Sequence, residues 1–392
     1  MAGVPPHPPR INAEKRPESG HVPVGEPAPI RFVPPAAKGL PYSRDAGPSR
    51  LDGVQRARSI LPLAKGTLPR DAIMETRSAD SARVAVVQAS PLFFDRDGSV
   101  DKVSRMTLEA GKEGAELVVF PEAYVGGYPW GLAFGTAVGG RSPAGRRTWE
   151  RYWATAVEVP GPETNRLGEA AADSGVYLAV GVIERDSTYS GGTLFCTLLY
   201  FGPDGALLGK HRKLKPTAAE RLIWGEGDGS TMPVIPTPFG RVGGLICWEN
   251  YMPLARMTMY GKGVEIYLAP TADARERWQA TLQHIALEGR CFVLGCNQFV
   301  TRDMYPADLE IREELQDWPE TLCRGGSAIY SPAADLLAGP LWDREGILYA
   351  DLDLGEVARG KFDFDVTGHY ARPDVFQLFV NQEPQPPVDF GE

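Results

Sequence analysis

Residues 176–202, VYLAVGVIERDSTYSGGTLFCTLLYFG, hold two short apolar runs, 176–185 and 193–202, joined by a polar, glycine-bearing link. Both runs are rich in β-branched and aromatic residues, and the pair predicts a β-hairpin. Similar runs recur on either side. RVAVVQAS (83–90) and AELVVFPEA (115–123) precede the hairpin. VGGLICWEN (242–250), VEIYLAPTA (264–272), CFVLGCNQF (291–299), GSAIYSP (326–332) and GILYADLDL (346–354) follow it. Several are almost continuously apolar, as strands buried on both faces are. Helical spacing falls between them. Residues 99–113 place Val100, Val103, Met106 and Ala110 on one face behind a candidate Ser99 cap, and 275–289 do the same with Trp278, Leu282, Ile285 and Ala286. Strands alternating with helices, together with hairpins, predict an α/β fold with a mixed sheet.

The composition suits such a fold. Of 392 residues, 43% are hydrophobic and 23% charged, enough apolar material for a large core. The net charge of −9 gives no electrostatic reason to bind nucleic acid or an anionic membrane surface. No apolar run approaches the length of a membrane span, and no secretory leader is expected. The five cysteines are an odd number without a CxxC pair, which points to a reduced, cytoplasmic setting. The five histidines have no metal-ligand spacing, so neither metal nor cofactor is expected.

Prolines crowd residues 1–80, which read as a Pro-rich, largely disordered extension, alternatively an arm around a partner subunit. Residues 81–375 read as one domain and 376–392 as a tail at a subunit interface.

Three segments place reactive side chains at the ends of apolar runs, where α/β folds put their sites. In VVFPEAYVGGYP, Glu122 ends a buried run. Partial desolvation there would raise its pKa towards that of a general base; a solvated strand-end carboxylate is the plainer alternative. The basic stretch around Lys210–Lys215 holds Lys213, with a solvated charge run as the alternative, and its glycines do not fit a phosphate loop. In GGLICWENYMPLAR, Cys247 closes a run ahead of Pro253. Backbone N–H groups and a helix N-terminus there would lower the thiol pKa, whereas an isolated cysteine is more often structural. Cys196, Cys291 and Cys296, within apolar strands, and Cys323, in a loop, are read as structural.

Taken together, FPEAYVGGYP, GKHRKLKPTAAERLIWGEGDGS and CWENYMPLAR resemble the motifs of the nitrilase superfamily nearly residue for residue, and the likeness runs over about 83–378. CWEN and HIALEG favour the nitrilase branch, of plant and related bacterial type, over amidases and carbamoylases. The insert around 301–321 lies outside the likeness. The resemblance implies an α-β-β-α sandwich, completed as four layers on dimerisation, with homo-oligomers from dimers to spirals. It implies Glu122 as general base, Lys213 as catalytic lysine, Cys247 as nucleophile and Glu220 as a second active-site glutamate. Tyr128, Trp130, Trp248, Thr271 and Asp273 would line the substrate pocket, with 130–140 tuning its size; Trp130 stands where the plant pattern has arginine.

The implied reaction is hydrolysis of an organic nitrile by water, through a thioimidate and a thioester, to acid and ammonia, with amide as a by-product. An amidase or carbamoylase using the same triad, and a catalytically silent scaffold, are the competing readings.

Overall fold

The structure is a computed structural model that describes residues 79–389 and 391. The extension expected over 1–80 lies, but for its last two residues, outside the described residues. The strands and helices, in chain order, are β1 (Ser81–Gln88), α1 (Arg96–Lys112), β2 (Leu117–Val119), β3 (Thr136–Ala137), β4 (Gly140–Arg141), α2 (Pro143–Ala154) and α3 (Pro162–Ser174). There follow β5 (Tyr177–Arg185), β6 (Leu194–Phe201), β7 (Leu207–Arg212), β8 (Val234–Thr237), β9 (Gly240–Gly244), α4 (Pro253–Gly261), β10 (Ile266–Pro270) and α5 (Trp278–Gly289). The chain continues through β11 (Phe292–Cys296), β12 (Phe299–Thr301), β13 (Thr321–Tyr330), β14 (Leu336–Trp342), β15 (Gly346–Asp353) and α6 (Gly355–Asp363).

Among the described residues two large mixed sheets form. The first runs β15-β1-β2-β5-β6-β7, and the second β12-β13-β11-β10-β9-β8 with β14 beside β13. Their centres are parallel: β1, β2 and β5 in one, β9, β10 and β11 in the other. The 176–202 hairpin forms as expected, with Arg185 opposite Leu194 and Leu178 opposite Phe201.

Period-two alternation sends each strand's side chains to two different cores. Val84 and Val86 of β1 meet Leu268 of β10 and Leu294 of β11 between the sheets. Ala85 and Val87 face the other way, onto Val100 and Val103 of α1 and Leu167 of α3. Tyr267 and Val293 of the second sheet likewise pack on Met259 of α4 and Leu282 and Ile285 of α5. The layers are therefore helix, sheet, sheet, helix, and one chain builds all four without the pairing of subunits.

Some details differ from the sequence reading. α1 begins at Arg96, capped by Asp95, whose side chain accepts from Gly98 N–H at 2.9 Å. Ser99 instead turns its hydroxyl back to the carbonyls of Leu92 and Asp95. α5 starts three residues later than expected, at Trp278. Cys323 lies within β13, not in a loop, and Cys291 sits one residue ahead of β11. The 301–321 insert is not an appendage, since Tyr305, Leu309, Ile311 and Leu315 are buried in the core between the sheets. Residues 376–389 carry no helix or strand, and Gln385 N–H donates to Asp228 Oδ2 at 2.7 Å.

For the site, strand direction matters most. β7 is antiparallel to β6, which is antiparallel to β5, so β7 runs with β2 and β5. The chain leaves β2 just before Glu122 and leaves β7 just before Lys213; in the facing sheet it leaves β9 just before Cys247 and β10 just before Thr271.

Candidate active site

Glu122, Lys213 and Glu220 meet below a surface cavity. Lys213 Nζ donates to Glu122 Oε1 at 2.6 Å and to Glu220 Oε2 at 2.7 Å, and its side chain is wholly buried. Glu220 rides on a single 3₁₀ turn, Ala218–Leu222. Its Oε2 also accepts from Thr217 N–H, and its Oε1 from the Tyr128 hydroxyl at 2.7 Å. Each of its oxygens thus has a partner. Glu122 differs: its Oε2 is buried with no hydrogen-bond partner among the protein atoms.

Cys247 opens a 3₁₀ turn, Cys247–Tyr251, with φ at +55°. A non-glycine residue in that region is strained by about 1–3 kcal/mol, which marks a position held for a purpose beyond chain economy. Ala123, directly after Glu122, has φ at +50°. The Thr271 hydroxyl donates to Cys247 Sγ at 3.1 Å.

Electrostatics follow from burial and from these contacts. Burial raises the Glu122 pKa above the usual carboxylate range; Lys213 works against that rise and Glu220 adds to it. Burial works against the charge on Lys213, yet Glu122, Cys247 and Glu220 outweigh it and hold the ammonium well above its usual range. Burial, with Glu122 next, pushes the Cys247 thiol well above its ordinary value. That corrects the expectation of a thiol acidified by a helix N-terminus. α4 begins only at Pro253, and the charges of Glu122 and Glu220 both act against a thiolate at Cys247. Cys247 rests as a neutral thiol beside a carboxylate with a free oxygen.

The cavity above has a volume of about 580 Å³. Tyr128, Trp130, Glu220, Cys247, Trp248 and Asp273 line it, and Arg275, Arg324 and Asp343 stand at it as well. The sequence reading had singled out all six, Cys247 and Glu220 as reacting groups and the other four as pocket residues. Thr271 reaches the sulfur from below without lining the cavity. Of 130–140, only Trp130 reaches this cavity. Positive φ values at Gly131, Phe134 and Gly135 turn the segment away, and Phe134 and Thr136 line a separate hollow.

Around Trp248 and Asp273, which the sequence reading had named, and around Cys247 stand several supporting residues that it missed. Trp248 Nε1–H donates to Asp273 Oδ2 at 2.9 Å, and the Arg275 guanidinium both pairs with Asp273 and lies 5.1 Å over the Trp248 ring. Asn250 Nδ2 holds the Cys247 carbonyl at 2.8 Å, and the Tyr267 hydroxyl holds Asn250 Oδ1 at 2.7 Å. Glu249, fully buried, accepts from Leu214 N–H at Oε1 and from Ile246 N–H at Oε2, beside the His211 ring. Cys196 Sγ, in β6, lies 3.6 Å from Glu122 Oε1, so one of the cysteines read as structural is next to the cluster. The only local signal for Glu249 was an acid inside the CWEN turn.

Among the described residues no group of three or more His, Cys, Asp or Glu side chains is placed to hold a metal ion, and no helix is long and apolar enough to cross a membrane.

The family profile described as carbon-nitrogen hydrolase matches residues 83–362. The chain belongs to the carbon-nitrogen hydrolase family. It is 54% identical to a bifunctional nitrilase/nitrile hydratase of Lupinus angustifolius, over 80% of this chain and 90% of that one. It is 53% identical to an aliphatic nitrilase of Sinorhizobium fredii, over 78% of this chain and 97% of that one. The NitFhit protein of C. elegans, at 19% identity, superposes with a TM-score of 0.61 over 79% of this chain and 69% of its own, which establishes the carbon-nitrogen hydrolase fold.

Proposed function

We propose that this carbon-nitrogen hydrolase is a nitrilase that converts an organic nitrile to the carboxylic acid and ammonia, releasing some amide. The observation that carries the reading is a single cluster: a buried Cys247 thiol beside Glu122, whose second oxygen is engaged by no other group, with Lys213 fixed between Glu122 and Glu220. Relatives named nitrilases at 53–54% identity support it.

Glu122 takes the thiol proton as Cys247 Sγ forms its bond to the nitrile carbon. The carbon–nitrogen π bond breaks towards nitrogen, which receives the proton, and a thioimidate results. Lys213 and the backbone N–H of Trp248 stabilise the charge that develops on nitrogen and then oxygen. Water, deprotonated by Glu122, adds to the thioimidate carbon. If ammonia leaves, a thioester remains, and a second water releases the acid and restores the thiol. If the thiol leaves instead, nitrogen is retained and the product is the amide. The relative named for both nitrilase and nitrile hydratase activities fits such a division. Glu220 orients Lys213 and, through Tyr128, the pocket wall. The chemistry needs no electron transfer and draws on no cofactor.

The aromatic side chains of Tyr128, Trp130 and Trp248 suit aromatic or arylaliphatic nitriles. In domain terms, 81–375 is the catalytic unit, 1–80 an extension and 376–392 a tail. A homo-oligomeric, cytoplasmic enzyme is the assembly we infer. Exposed Leu254, Phe376 and Phe379 are apolar surface that such an assembly would cover.

The deciding experiment is ammonia release from a nitrile panel by the wild type and by Cys247→Ala. The wild type should turn over phenylacetonitrile-type substrates, and the variant should retain no turnover above background. Activity surviving in Cys247→Ala would reject the mechanism. Turnover of amides but of no nitrile would move the protein to the amidases. A strong preference for β-cyanoalanine would reject the aromatic pocket.

A further inference from the structure

The buried Glu249 carboxylate joins two segments that must keep their distance. Its Oε1 accepts from Leu214 N–H at 2.5 Å, one residue after Lys213. Its Oε2 accepts from Ile246 N–H at 2.7 Å, one residue before Cys247. The His211 ring, two residues before Lys213, sets Nε2 against the same Oε2 at 3.0 Å. The lysine comes from the first sheet and the cysteine from the second, so this one side chain spans the gap between their backbones.

The ring's other nitrogen decides the charge. His211 Nδ1 lies 2.6 Å from the carbonyl oxygen of Thr231, which can only accept. Nδ1 therefore carries a proton. Nε2 faces a carboxylate oxygen that already receives a backbone N–H, as does its sister oxygen. Both carboxylate oxygens are thus already acting as acceptors. Both ring nitrogens then face acceptors, the arrangement that an imidazolium satisfies and a neutral ring does not. Both side chains are fully buried. Other titratable groups bear on the pair: Lys262 opposes the imidazolium charge, and Tyr200, Tyr267 and Cys196 each feel the charge of Glu249. Burial alone would strip the ring of its charge, but Glu249 reverses that effect and holds the His211 pKa above its ordinary value.

We propose that His211 is a positioning residue, held as an imidazolium, whose ion pair with Glu249 locks the Lys213 strand end to the Cys247 turn, and that loss of this proton at alkaline pH unlocks the two and lowers turnover. Once the ring is neutral, its Nε2 lone pair points at a carboxylate. The repulsion acts on the carboxylate that holds both backbones, so the effect reaches Lys213 and Cys247 although His211 touches neither substrate nor sulfur.

Two measurements test this. The first needs no substrate and so stands apart from the nitrilase reading, on which the turnover claim rests. Nitrogen NMR of ¹⁵N-histidine-labelled full-length protein resolves at most five imidazoles, one per histidine in the chain. The resonance absent from His211→Gln belongs to His211. Its two nitrogens should both show protonated shifts at pH 7.5 and lose one proton as pH rises. A lone-pair type Nε2 at pH 7.5 would overturn the proposal. If the variant fails to fold, the labelled wild type still decides it: five neutral imidazoles at that pH reject the imidazolium.

The second measurement is the pH profile of kcat and KM. His211→Gln can donate to Glu249 through its amide but cannot titrate. It should lower kcat about tenfold to a hundredfold at neutral pH with little change in KM, the signature of displaced reacting groups. It should also lose the first alkaline fall that the proposal expects of the wild type. An unchanged alkaline limb in the variant would reject the role.

Discussion

At the residue scale, the site is a set of buried charges that hold one another in place. The His211–Glu249 pair gives the clearest consequence for stability. Because Glu249 raises the folded-state pKa of His211 above its unfolded value of about 6.5, the stabilisation is fully present below that value. It is lost as pH rises through the folded pKa. Glu249→Ala removes the charge that keeps the buried ring protonated, which costs about 3–5 kcal/mol at pH values where the unfolded histidine is charged, by analogy with other broken buried pairs. Thermal melts should therefore show the largest gap between wild type and Glu249→Ala at or below about pH 6.5, narrowing above it. A gap that widened with pH would contradict the charge assignment. Glu122, Lys213 and Cys247 were legible in the sequence because each ends or follows an apolar run and because their order is distinctive. Glu249 was not, since its three partners come from two strand ends that only the folded sheets bring together. Nor was the upward push on the Cys247 thiol, which comes first from burial and then from Glu122 of the opposite sheet.

At the element scale, glycine is needed where strands carry catalytic loops past each other. Gly181 in β5 is one such place. A Cβ there would lie 2.2 Å from the Pro121 carbonyl oxygen and 2.9 Å from the Glu122 Cα. Both are backbone atoms and cannot swing aside. Gly181→Ala must therefore displace the Glu122 segment, although residue 181 touches no substrate. Steady-state assays should find kcat reduced by about a hundredfold for a displacement near 1 Å, with secondary structure by circular dichroism unchanged. Wild-type kcat in that variant would mean that the Glu122 backbone is not fixed by β5. Strands proved more readable than helix ends. The long apolar runs of β5, β6 and β10 announce buried strands by composition alone. The start of α1 was misplaced because Asp95 and Ser99 are both good caps, and the choice between them rests on where Leu92 lies. Cys323 was read as a loop residue because TLCRGG lacks a strand pattern, and its place in β13 comes from pairing with β12 and β14.

At the scale of the whole molecule, two sheets with parallel centres deliver one end of each to the same place, and that shared end carries all the chemistry. The α-β-β-α order was legible by family resemblance and by the double-faced apolar strands; that one chain supplies all four layers was not. All five cysteines are buried, yet only Cys247 borders the cavity, and Cys196 lies behind it against Glu122. The protein thus carries its own calibration mark. A small alkylating reagent applied to the native enzyme should consume one equivalent per chain and extinguish turnover in step, while the unfolded chain should consume five. Labelled equivalents would then count competent sites in any preparation, independently of total protein.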